Sequence, residues 1–148
     1  MRIYLDNCCY NRPYDDQSHM QVSLETQAKL YIQEMVREKK YELATAYILR
    51  YENNANPFNI RRTAIDAFIQ KNSSVYVGFD KASDIDGIAK EVMSTGVKAK
   101  DAIHVACAIY AECDYFISTD KRLLKYRTDR IRIVDPLEFI RMEENNDE

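Results

Sequence analysis

The chain has 148 residues, 46% hydrophobic and 30% charged, a length and balance that suit one domain around one core. Its net charge of −3 argues against coating nucleic acid by bulk attraction, though not against a local basic patch. No apolar run reaches the roughly 18–20 residues of a membrane span, and the start MRIYLD is too short and polar for a signal peptide, so the expected compartment is the cytoplasm.

Five short runs rich in β-branched, aromatic or other apolar residues read as strands: RIYL (2–5), ELAT (42–45), SVYV (74–77), YFIS (115–118) and IRIV (131–134). After the first comes NCCYNRPYDD, a turn-like stretch around Pro13. From Met20 to Glu38 the spacing of Leu24, Ala28, Tyr31 and Met35 predicts one apolar face of a helix. A second helix is expected over 46–55, ended by Pro57, a third over 58–70 and a fourth over 82–93. The fifth, KAKDAIHVACAIYAE, is apolar nearly all round after Asp101, the mark of a helix buried against a sheet. A last helix starts at Pro136. Residues 1–142 read as a single domain, and 143–148, EENNDE, as an acidic flexible tail. Strands alternating with helices imply an α/β fold, a parallel sheet of about five strands flanked by helices on both faces.

Only three glycines occur, so no glycine-rich nucleotide loop is possible. The four cysteines, Cys8, Cys9, Cys107 and Cys113, form no C-x-x-C pair and read as free thiols. Asp101, His104 and Cys107 follow one another by helical turns, but the spacing matches no strong zinc pattern. His104 is expected instead to support Asp101 from within the same helix.

Sites in open α/β sheets lie beyond the carboxyl ends of the strands. Asp6 ends the first strand, and Asp120 closes "ISTD" after the fourth. Asp101 opens a helix that must run antiparallel to its strand, which brings it to the same edge. Singly, each has a bland reading: a turn acid, a cap, a helix N-terminal acid. Together they make a carboxylate cluster, in which two charges about 4 Å apart repel by roughly 4 kcal/mol at an effective dielectric near 20. A cation compensates such repulsion, and oxygen-only ligands favour Mg²⁺ or Mn²⁺.

Asp6 after the first strand, Glu52 in the helix after the second, KAKDAIHVA and ISTD resemble the PIN domain family, over nearly the whole chain. The resemblance implies a PIN-like three-layer sandwich and a metal-dependent ribonuclease, similar to the toxins of bacterial toxin–antitoxin pairs. It assigns Asp6, Glu52, Asp101 and Asp120 to one or two Mg²⁺ or Mn²⁺ ions. Asn7 stands where the family often has a small hydroxyl residue; an amide can still orient a water. Glu42 is the rival to Glu52, but it opens a strand and so falls at the opposite edge of the sheet. Ser118 and Thr119 flank the last acid and bond either a ligand or the local backbone.

The implied reaction is hydrolysis of a phosphodiester by a water whose pKa a bound cation lowers. Arg12, Lys98, Lys100, Lys121 and Arg122 are the candidates to hold an RNA backbone, with Tyr10 or Tyr14 to stack on bases of a single strand. From Asp120 to Arg132 six basic residues face two acids. The implied partners are single-stranded or structured RNA, an antitoxin protein and a second copy of the chain. The competing class is an RNA- or protein-binding module of the same fold without turnover. A phosphatase or flap-type nuclease is a third, although Asp6-Asn-Cys departs from the D-x-D of haloacid-type phosphatases.

Overall fold

A computed structural model describes residues 1–146. The strands are β1 (Arg2–Leu5), β2 (Glu42–Ala46), β3 (Ser73–Val77), β4 (Tyr115–Ile117) and β5 (Arg132–Val134). They form one all-parallel sheet in the order β3-β2-β1-β4-β5. The five sequence runs thus become five strands, displaced by a residue at some ends. The helices are α1 (Asn7–Asn11), α2 (Met20–Arg37), α3 (Tyr47–Asn54), α4 (Asn59–Asn72), α5 (Ala82–Met93), α6 (Ala99–Tyr110), α7 (Lys121–Leu124) and α8 (Pro136–Asn146).

Strand side chains alternate between faces, and the two cores follow that period. Ile3, Leu5, Leu43, Tyr115, Ile117 and Val134 face α2, α4 and α8, where Ile32, Val36, Phe68 and Phe139 meet them. Tyr4, Ala44, Ala46, Phe116 and Ile133 face α5 and α6. Ala44 and Ala46 are small, and so are Ala102 and Ala106 opposite; this lets α6 lie close on the sheet. Phe139 is wholly buried, edge-on to Tyr115 at 5.0 Å and to Tyr41 at 5.3 Å. Burying one such side chain stabilises by about 1.5–3 kcal/mol.

Three expectations change. The buried face of α2 is Ala28, Ile32, Met35 and Val36, while Leu24 and Tyr31 are 39% and 49% exposed. Two apolar stripes at helical spacing share Ala28 and Met35, and packing on the sheet selects the one with Ile32 and Val36. That stripe carries Glu25, Lys29 and Gln33 inside with it. Burial holds the Lys29 ammonium pKa down at about 8, and its Nζ lies 5.5 Å from the centre of the Tyr10 ring. The stretch after β1 is α1 followed by a 3₁₀ turn, Arg12–Tyr14, not a bare proline turn. Finally, α8 runs past Met142 to Asn146, into the segment expected as tail; residues 147–148 lie outside the described part. Among the described residues no helix is long and apolar enough to cross a membrane.

Candidate functional site: an acid cluster at the carboxyl edge of the sheet

The centre of the site is the pairing of β1 with β4. Leu5 lies opposite Ile117, so the next residues, Asp6 and Ser118, emerge side by side. The Asp6 amide donates to the Ile117 carbonyl at 2.9 Å. Ser118 is fully buried; its hydroxyl donates to Asp6 Oδ2 at 2.8 Å and accepts from the Asp120 amide at 3.0 Å. One hydroxyl therefore ties two acids that are far apart in the chain. Asp6 Oδ1 accepts from the Asn7 amide at 2.8 Å and caps α1.

Cys8 completes this bracket. Its Sγ lies 3.5 Å from Asp6 Oδ2 and 3.4 Å from the Ser118 hydroxyl, and accepts from the Thr119 amide at 3.3 Å. Thr119 thus joins the site through its backbone. Cys9 turns the other way, into the core, with its thiol 3.4 Å from the Ile117 carbonyl. The cysteines are free thiols. Nothing in their spacing reveals Cys8; helical periodicity after a strand end that carries an acid is the signal that finds it.

Asp101 sits half-buried in the first turn of α6. Burial raises its carboxyl pKa, and the charges of Asp6, Asp120 and Glu52 raise it further, against a lowering from His104. All four acids thus share one electrostatic neighbourhood. Asp120 caps α7, accepting from the amides of Arg122 at 2.9 Å and Leu123 at 3.5 Å. Its bland reading and its place in the cluster hold together.

Glu52 reaches the cluster from α3. Burial pushes its pKa up, but the hydrogen bond and charge of His104, the charge of Lys100 and a hydrogen bond from the Asn7 side chain outweigh it, leaving a lowered value. Glu42 stands at the far edge, paired with Arg2 at 3.0 Å. His104 bonds Glu52 through Nε2 and the Tyr4 hydroxyl through Nδ1, the latter at 2.7 Å. Its hydrogen bond therefore goes to Glu52, while on Asp101, the expected partner, it acts through charge. A buried phenol keeps its proton: Tyr4 is wholly inside, and burial raises its pKa strongly. Both ring nitrogens are thus engaged, Nδ1 with the Tyr4 hydroxyl and Nε2 with Glu52. With both nitrogens engaged, His104 is not available to zinc beside Asp101 and Cys107.

Among the described residues, no three His, Cys, Asp or Glu side chains are grouped closely enough to hold a metal. The acids share a field without forming an all-protein cage. The donor chemistry is nevertheless that of a hard, hydrated cation: Mg²⁺ keeps several waters and takes one or two carboxylates directly.

The basic candidates divide. Arg12 is committed to ion pairs with Glu25 at 3.0 Å and Asp15 at 2.9 Å, so it clamps the 3₁₀ turn onto α2 instead of offering a free charge. Lys98, Lys100, Lys121 and Arg122 are exposed and form no ion pair among the described residues. Lys98, Arg122 and Lys125 line a groove of about 240 Å³ with Asp101; Lys125 was not among the expected contacts. Tyr10 is 1% exposed and cannot stack on a base. Tyr14 is open, with the Arg61 guanidinium 4.8 Å from its ring centre and 4.4 Å from that of Phe58.

The architecture is an α/β PIN-like fold. A solved structure with this arrangement is VapBC2 from Rickettsia felis, bound to a DNA fragment from their promoter, with a TM-score of 0.54 at 10% identity. The match covers 90% of this chain and 97% of that one; at such identity it is a likeness of fold. No protein-family model matches the chain, and no curated protein does.

Proposed function

We propose that the chain is a Mg²⁺- or Mn²⁺-dependent endoribonuclease that hydrolyses phosphodiesters of single-stranded RNA, and that it serves as the toxin of a toxin–antitoxin pair in the cytoplasm. The observation that carries this reading is the joined end of β1 and β4, where the Ser118 hydroxyl ties Asp6 to the backbone of Asp120; the raised carboxyl pKa of Asp101, on which Asp6, Asp120 and Glu52 all act, agrees with it. A PIN-like fold supports it. The likeness to VapBC2 favours an antitoxin protein as partner; a homodimer belongs to the same proposal.

In this reading a cation bound at the cluster supplies a water of lowered pKa and charge for the leaving oxygen. Asp6 and Asp120 are the acids joined at the strand ends through Ser118, with Asp101 and Glu52 completing the negative rim. The Ser118 hydroxyl and Cys8 thiol hold the Asp6 carboxylate in one orientation. Tyr4 and His104 hold Glu52 ionised. Lys98, Arg122 and Lys125 seat a phosphate beside Asp101. The absence of a ready cage among the described residues favours a second reading, an RNA- or protein-binding module without turnover. A fluorescent single-stranded RNA incubated with Mn²⁺, and with EDTA as control, separates the two. Cleavage that needs the cation and vanishes in Asp101→Asn supports the nuclease. Intact RNA together with no heat of Mn²⁺ binding sinks it.

A further inference from the structure

Tyr14, expected to stack on a base, stands in an arrangement that its local sequence does not reveal. The Arg61 guanidinium lies over two rings at once, 4.8 Å from the centre of Tyr14 and 4.4 Å from that of Phe58. Tyr14 comes from the 3₁₀ turn after α1, and Phe58 and Arg61 from the start of α4. Arg61 takes one side of each ring; with Tyr14 42% and Phe58 58% exposed, much of the remainder meets water. The loop under Phe58 is tied down. The Phe58 amide donates to Asn56 Oδ1 at 3.0 Å, and the Arg62 guanidinium donates to the Asn56 carbonyl at 2.8 Å and to Asn59 Oδ1 at 2.7 Å. A ring held in place beforehand lowers the ordering cost of binding.

Two amide contacts join this platform to the acid cluster. Asn7, at the start of α1, bonds Glu52. Asn11, at the end of α1, accepts from the Asn56 side chain at 3.2 Å. By their helical rise, α1 and the 3₁₀ turn carry the chain on the order of 15 Å at most from Asp6 to Tyr14. A single strand, which occupies about 4–16 nucleotides in such grooves, spans that distance. Charge points the same way. Residues 56–62, NPFNIRR, hold two cations and no acid, and neither Arg61 nor Arg62 forms an ion pair among the described residues. Across from them Asp15 answers Arg12 at 2.9 Å, and Asp16 lies 3.7 Å from His19. An apolar protein surface laid here would bury two guanidinium groups unpaired, which is costly. A nucleic-acid strand offers bases to the rings and phosphates to the cations. We propose that Tyr14 and Phe58, spaced by Arg61, form the base-stacking subsite for a single-stranded RNA whose backbone crosses the acid cluster to the groove of Lys98, Arg122 and Lys125.

The proposal rests on the nuclease reading for the nature of the strand, and it adds the residues that hold the bases. Binding is measured on the full chain in EDTA, so that it is read apart from cation-dependent cleavage. The probes are single-stranded RNAs of about a dozen nucleotides, each with a fluorescent purine analogue, dimmed by stacking, at a different position. In the unaltered chain the emission falls at neighbouring positions of the strand. Phe58→Leu keeps an apolar side chain but no ring. It weakens binding by about five- to hundredfold, the range for one stacked base, removes the dimming at one position and leaves the salt dependence of affinity unchanged. Tyr14→Leu does the same, and Phe58→Trp retains both binding and dimming. Lys125→Gln instead lowers the salt slope by about one and keeps the dimming. These side chains are exposed, and circular dichroism stays the same throughout. Affinity and emission unmoved in both leucine variants overturn the proposal, even where Mn²⁺-dependent cleavage is found; so does RNA that does not bind. Ring-dependent binding without cleavage at any Mn²⁺ concentration supports the subsite and removes the nuclease reading instead. A dimer that Phe58→Leu dissociates while RNA affinity stays unmoved also overturns it, since a second copy then covers the rings.

Discussion

Replacing Tyr4 by Phe tests the inner support of the site. The phenyl ring remains stacked on Phe116, whose centroid is 5.2 Å away with 11° between the planes, so little packing is lost. What goes is one O–H, and with it the 2.7 Å bond to His104 Nδ1. His104 is 1% exposed, so Nδ1 is left unsatisfied where water does not reach it. A net hydrogen bond is worth about 1 kcal/mol, and an orphaned buried polar atom costs about 1–3 kcal/mol. We expect Tyr4→Phe to destabilise by about 1–3 kcal/mol. With a urea m-value of about 2 kcal/mol/M, that is a fall in midpoint of roughly 0.5–1.5 M, with the slope unchanged. A cycle with His104→Leu then isolates the pair: the double variant should cost less than the two single variants summed, by about 1 kcal/mol. An unmoved midpoint for Tyr4→Phe, or strict additivity in the cycle, refutes the relay from Tyr4 through His104 to Glu52.

Asp101→Asn should lower RNA cleavage by at least about 100-fold while raising stability near neutral pH. The sign follows from the raised folded-state pKa of Asp101: its ionisation opposes folding as pH rises through that pKa, so the gain disappears in acid. Glu52→Gln should lower stability near neutral pH. The folded-state pKa of Glu52 is lowered, so its contribution is present above the unfolded pKa and lost as pH falls through the folded one; denaturation at stepped pH reads both. Saturating Mn²⁺, at about 100 times its Kd, should stabilise the fold by about 2.7 kcal/mol, and Asp6→Asn should remove that shift in a thermal melt. Arg12→Ala strands Glu25, which is 4% exposed, without its charge partner; a loss of about 3–5 kcal/mol in urea denaturation is expected, whereas a loss below 1 kcal/mol means Glu25 is not held by that pair.

The strands were legible because each is a short apolar run bounded by polar or turn residues, and their parallel order places Asp6, Asp101 and Asp120 at one edge. Glu52 was separable from Glu42 by the same geometry. Side-chain partners were less visible. His104 lies one helical turn from Asp101 in sequence, yet its ring meets Tyr4 and Glu52, because α6 faces β1 and α3 at that level. Cys8 looked like half of a vicinal pair; its neighbour faces the core, and only Cys8 turns to the acids. Arg12 sat near the expected site in sequence but was claimed by Glu25, an acid buried on the unexpected face of α2. In each case the partner comes from a distant element, and local periodicity carries no information about it.

The Ser118 hydroxyl has a consequence for the order of events during synthesis. Asp6, Glu52 and Asp101 all leave the ribosome before β4, but the contact that fixes Asp6 spans 112 residues of chain. A nascent chain that stops short of Tyr115 has β2 on one side of β1 but no β4 on the other, no Ser118 against Asp6 and no Asp120. The acid cluster is therefore complete only once Asp120 has been made, with β5 and α8 still to follow. Each copy of the chain thus carries an incomplete site through roughly the first four-fifths of its own synthesis, because Ser118 and Asp120 stand at positions 118 and 120 of 148.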